Sequence, residues 1–203
     1  MISAAIVSAV AALGADVLSV GSPAPAFTPE KFMSGSAFTA LEPGKVYVIE
    51  FWATWCPPCV RAMPHLAKLQ AENPDITVVG IAAMERVNDN ESRERKVTDF
   101  LEKRGGSVGF AIAVDHDASM AKDWMNAAKK GGIPCSFVVG KDGKIAYIGH
   151  PEMGLDEAVR RAKAAPAPNA PAEPGAPAPG APAKPAAPQG GAGSPATSPG
   201  SAP

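Results

Sequence analysis

The chain has 203 residues, a formal net charge of −1 and a hydrophobic fraction of 46%. Near-neutrality removes any broad electrostatic basis for binding nucleic acid or an anionic membrane surface. The cysteine count of three, an odd number, argues against a disulfide-stapled scaffold and leaves room for one pair plus one further thiol. Pro and Gly number 22 and 20, and twelve of the prolines follow Ala165, so the folded part is expected to be one domain of about 140 residues.

In chain order, residues 2–13 are small and apolar, and residues 1–15 read as a signal peptide or membrane-targeting segment. No Lys or Arg precedes the apolar run, and Asp16 interrupts it before it reaches membrane-spanning length. Cleaved signal and uncleaved anchor both remain open, and either implies a periplasmic or otherwise exported protein. Val20 to Phe27 contains two prolines and reads as extended chain.

Glu42-Pro43-Gly44-Lys45 is a turn into an apolar run, Val46 to Phe51, predicted as a buried strand. A helix is predicted from about Pro57 to Glu72, stopped by Asn73-Pro74-Asp75, and Ile76 to Ala82 is a second buried strand. Two buried strands joined by a helix form a βαβ unit with the strands parallel. Glu85 to Arg104 is charged and ends in a helix with Val97, Phe100 and Leu101 inward; it reads as a solvated surface element.

Phe110 to Val114 is a short strand. Ala118 to Lys129 is a predicted helix in which Met120, Trp124 and Ala128 supply packing. Cys135 to Val139 and Ile145 to Ile148 flank Asp142-Gly143, a strong hairpin signal. Gly154 to Ala165 closes the domain as a helix with Leu155, Ala158, Val159 and Ala162 inward. Residues 166–203 are Ala, Pro, Gly and Ser with only Glu173 and Lys184 charged, a composition expected to stay disordered.

The chemistry concentrates in Trp52-Ala53-Thr54-Trp55-Cys56-Pro57-Pro58-Cys59. A Cys-x-x-Cys at a strand-to-helix junction puts its first sulfur beside the unpaired N–H groups and positive end of a helix, which lower a thiol pKa. Two thiols in that arrangement suit thiol–disulfide exchange. Cys56 is the expected nucleophile and the more exposed sulfur; Cys59, in the first turn, is the expected buried resolving thiol. Glu50 lies within the apolar strand, where burial raises a carboxyl pKa, and can accept the Cys59 proton. Pro57 and Pro58 bring no N–H, so donors that would stabilise a Cys56 thiolate are missing, which favours a reducing to intermediate potential of about −200 to −270 mV.

The same residues resemble the thioredoxin superfamily, and within it the TlpA/ResA-like periplasmic thiol–disulfide oxidoreductases. Phe51 to Cys59 looks like the active-site motif. Pro64 sits where thioredoxins kink the active-site helix, Glu50 where they carry a buried acid, and Gly132-Ile133-Pro134 matches the loop with a cis proline.

The resemblance spans about residues 20–165 and implies an α/β thioredoxin-like fold, a central mixed sheet flanked by helices with an N-terminal extension. It implies a cis Ile133–Pro134 bond facing the sulfurs, and substrate contacts from Trp55, Pro57, Ile133 and Pro134. It also implies protein disulfide substrates, an upstream thiol donor bound to the membrane, no cofactor and no metal. Two positions depart from the pattern. Ala62 stands where ResA-like members carry an acid, so their particular proton handling is not carried over. Cys135 replaces the usual Thr or Ser after the cis proline; it is either a small buried side chain or an extra thiol able to form an alternative disulfide.

Other readings are weaker. Val60 after Cys59 excludes a c-type haem motif, the histidines lack paired zinc-ligand spacing, and Ala53 stands where a peroxidatic Thr-x-x-Cys needs Thr. A disulfide oxidase or isomerase, and a non-catalytic binding module on the same fold, remain as alternatives; the intact cysteine pair argues against the second.

Overall fold

A computed structural model describes residues 17–167. The expected signal segment, residues 1–15, lies outside the described residues, as does the expected tail beyond Pro166 and Ala167. The described part forms a six-stranded mixed sheet in the order β1-β4-β3-β2-β5-β6. Its elements are β1 (Lys31–Ser34), β2 (Val46–Trp52), α1 (Pro57–Glu72), β3 (Ile76–Ala82), α2 (Asn90–Glu102), β4 (Ala111–Val114), β5 (Cys135–Val139), β6 (Ile145–Gly149) and α3 (Leu155–Ala164).

The βαβ unit forms as its sequence implies. β2 and β3 pair in parallel, Val46 opposite Ile76 through Trp52 opposite Ala82. All seven residues of β2 are buried, because the strand is covered on both faces. β5 pairs antiparallel on its other side, setting Glu50 opposite Ser136 and Phe51 opposite Cys135. The Asp142-Gly143 turn joins β5 to β6 antiparallel, with Gly143 at φ +73°, a conformation that suits glycine.

Strand alternation sorts the core into two layers. Val46, Val48 and Trp52 face a cluster built from α1, α2 and α3 and including Met63, Leu66, Val97 and Leu155. Tyr47, Ile49 and Phe51 face the other layer, with Phe27, Trp124, Met125 and Phe137. The N-terminal extension is tied to this second layer. Leu18 and Phe27 are buried, and Gly21 N–H donates to Ile145 O at 2.8 Å while Ile145 N–H donates to Ser22 O at 2.9 Å.

Three sequence expectations change. Nothing in the sequence marks β1, which pairs antiparallel with β4 at the sheet edge. The predicted helix over 118–129 forms over 119–126 and is widened to a π-helix over Ala121–Asn126. Ala118 is in the left-handed region at φ +62°, and the Asp115 carboxylate accepts from Met120 N and Ala121 N, so the helix starts later. Bonds from Ala127 N to Lys122 O and Lys130 N to Met125 O widen the turn, so the neighbouring pairs Met120–Ala121 and Trp124–Met125 are both buried. Third, α2 begins at Asn90, capped by Asp89, and Glu85 is buried rather than part of a solvated face.

Candidate active site

β2 ends at Trp52, and after four intervening residues α1 starts with Pro57 at its first position. Proline suits that place, because its fixed φ is helical and its missing N–H has no partner there. Cys56 is the N-cap, in extended conformation, and its sulfur accepts from Cys59 N–H at 3.3 Å. Pro57 and Pro58 occupy the first two helical positions, so Cys59 N–H is the donor the first turn offers to that sulfur. Cys56 and Cys59 form a disulfide with Cα atoms 5.3 Å apart.

The Ile133–Pro134 bond is cis, matching the resemblance, and brings Ile133 O to 3.8 Å from Cys56 Sγ. In this oxidised state Cys56 and Cys59 are equally enclosed, each 2% exposed. Whole-residue exposure thus does not distinguish the two cysteines. Trp55 and Pro57 are exposed beside the pair, and Ile133 and Pro134 are half-buried.

Glu50 lies on the face of β2 that carries Val48 and Trp52, which pack in one cluster with Cys56 and Cys59. It is 2% exposed, and burial pushes its carboxyl up to about 8. The Ser136 hydroxyl donates to Oε2 and opposes that rise, while Oε1 is buried without a partner. A raised carboxyl with one buried oxygen unmatched is an unusual feature in a core.

Cys135 is a free thiol, 3% exposed, and packs with Phe51, Phe137 and Val139 in the layer on the other face of the sheet from the cluster holding Cys56 and Cys59. Burial, with the Glu50 charge secondary, pushes its thiol up to about 11, so it is a weak nucleophile at neutral pH. Those observations favour the small buried side chain over the extra reactive thiol.

The sequence reading missed the segment that holds the catalytic loop. Glu85, 6% exposed, accepts from Thr54 N–H at 2.5 Å and from the Thr54 hydroxyl at 2.8 Å. Its neighbours act on Trp55: Met84 O accepts from the indole N–H at 2.7 Å, and the Arg86 guanidinium lies 3.7 Å from the ring centroid. Three successive residues thus grip the two that precede Cys56. The available signal was topological. β2 and β3 are parallel, so the loops leaving their C-terminal ends share one edge of the sheet, where open α/β sheets build their sites.

Comparison with known proteins agrees with this geometry. The family described as Redoxin matches residues 19–165. The chain is 33% identical to protein FixW of Rhizobium leguminosarum over 137 residues, covering 66% of this chain and 62% of that protein, so it spans less than two thirds of that relative's length. It is 30% identical over 131 residues to the thiol-disulfide oxidoreductase ResA of Geobacillus thermodenitrificans, covering 64% of this chain and 69% of that one.

Among solved structures, a thiol:disulfide interchange protein of the thioredoxin family from Chlorobium tepidum superposes with a TM-score of 0.52 at 25% identity, covering 70% of this chain and 95% of that one. A thioredoxin-like protein in its oxidised form gives 0.55 at 24% identity over 70% and 95% of the two chains.

Proposed function

The chain belongs to the Redoxin family, with a thioredoxin-like fold of the TlpA/ResA kind and a Cys56–Cys59 pair that makes it a thiol–disulfide oxidoreductase, and from that premise we propose that it reduces protein disulfides outside the cytoplasm. The observation that carries the direction is the first turn of α1. Two prolines leave Cys59 N–H as the donor to Cys56 Sγ. A thiolate with few donors is less stabilised, so the reduced pair gives up its electrons more readily.

The reduced Cys56 thiolate attacks one sulfur of a substrate disulfide. That S–S bond breaks, a mixed disulfide with Cys56 forms, and the first substrate thiol leaves. Cys59 loses its proton to Glu50 in its ionised form, the minor form at neutral pH, and attacks Cys56 Sγ. The mixed disulfide breaks, the second substrate thiol departs, and the Cys56–Cys59 bond closes; two electrons have passed to the substrate. Glu50 supports this step through its burial and unmatched oxygen. Trp55 and Pro57, exposed, and Ile133 and Pro134, half-buried, form the surface that receives the substrate.

An upstream thiol donor at the membrane then reduces the pair again. No helix among the described residues is long and apolar enough to cross a membrane. Residues 20–165 act as the catalytic domain. Insulin reduction with a chemical donor tests the reading: turnover that disappears in Cys56→Ser supports it, and absence of turnover in the wild type refutes it. A protein that instead oxidises reduced, unfolded substrates is an oxidase.

A further inference from the structure

The edge of the site formed by α2 carries an excess of positive charge that the exchange chemistry does not use. A groove of about 300 Å³ runs beside the catalytic loop, lined by Thr54, Lys96, Asp99, Phe100 and Lys103. Lys96, Asp99 and Lys103 are exposed at helical spacing on the flank of α2 whose Phe100 packs against Trp52, with ring centroids 5.0 Å apart. Arg86 stacks over Trp55. Arg104 sits 3.7 Å from the Phe100 ring centroid and lines a second groove, of about 290 Å³, with Val60, Met63 and Pro64 of α1.

None of these four cations is in an ion pair among the described residues. Seven other described Lys and Arg side chains are paired, and seven more elsewhere are not; what sets these four apart is their place beside the cysteine loop and the adjoining groove of α1. Two exposed acids on the same helix, Asp99 and Glu102, offset only part of the four charges. Glu85 is buried and taken up by Thr54.

Resting on the reductase reading above, we propose that Arg86, Lys96, Lys103 and Arg104 form a docking rim that selects protein disulfides flanked by acidic side chains. Each exposed charge contributes little alone. Together, beside the reacting sulfur, they raise the encounter rate of an acidic segment and disfavour a basic one, and salt screens the effect.

The test uses the reduced full-length chain and two synthetic peptides, each with the same intramolecular disulfide, flanked in one by Glu and in the other by Lys. Each rate is divided by that peptide's rate with dithiothreitol, which removes the intrinsic effect of the flanking charges on the disulfide. At about 10 mM salt the acidic peptide is expected to react at least about fivefold faster on this relative scale, and the gap closes at about 0.5 M. Lys96→Glu/Lys103→Glu is expected to shrink or invert the ratio. Equal relative rates at both salt concentrations, or an unchanged ratio in the double variant, overturn the proposal while leaving the reductase reading standing. Turnover of neither peptide overturns both.

Discussion

Replacing Glu50 with Gln isolates the most unusual electrostatic feature of the core. In the unfolded chain this carboxyl ionises near the ordinary 4.5, and in the folded chain near about 8, because it is buried. Between those values the native state keeps a proton that the unfolded state has lost. Stability from this group is therefore fully present below about pH 4.5 and falls as the pH rises through 8. Converted to free energy, the rise is worth about 5 kcal/mol at most.

Gln retains an oxygen for the Ser136 hydroxyl and removes the ionisation. The Glu50→Gln protein is expected to match the wild type near pH 5 and to exceed it progressively toward pH 9. Urea unfolding of the oxidised protein at both pH values measures the difference. In that state the disulfide cysteines do not titrate, Cys135 titrates higher, near about 11, and the histidines are common to both proteins and cancel. Stability curves that differ by less than about 1 kcal/mol across the whole range mean that Glu50 ionises freely, and its role as proton acceptor for Cys59 falls with that result.

Two further substitutions probe how the cysteine pair is held. Glu85→Ala removes both bonds to Thr54 and is expected to cost about 2–4 kcal/mol in urea unfolding and to slow single-turnover reduction; a loss below about 0.5 kcal/mol would show that the clamp contributes nothing. Pro58→Ala adds an N–H at the second helical position, within reach of the Cys56 sulfur. The Cys56 thiol pKa, followed by the pH dependence of alkylation, is expected to fall, and the potential of the pair to rise by about 10–30 mV; no change in either would show that the missing donor does not set the poise.

The parts of the fold legible in the sequence are those governed by local pattern. Val46 to Ala82 reads directly because two apolar runs bracket a helix whose start and stop are marked by prolines and Asn73. The Asp142-Gly143 hairpin reads for the same reason. The elements that escaped depend on distant partners. β1 is a strand because β4 offers it an edge, and Glu85 is buried because Thr54, 31 positions earlier, donates to it. Within a run of charged residues nothing distinguishes that one carboxylate from its solvated neighbours.

Glu50 was legible as buried, since apolar residues surround it. Its partner Ser136, 86 positions away, emerged only from the register of β2 against β5. Cys135 illustrates the opposite case: adjacency to Pro134 left a small buried side chain and an extra thiol both open, and strand alternation turns it into the layer away from the disulfide.

The reduction potential of the Cys56–Cys59 couple, obtained by equilibration against glutathione or thioredoxin, tests the direction of electron flow most directly. A value of about −200 to −270 mV is expected of a dithiol whose first turn offers one backbone donor. A value near about −120 mV, that of a strong oxidant with a stabilised thiolate, contradicts the reductase assignment.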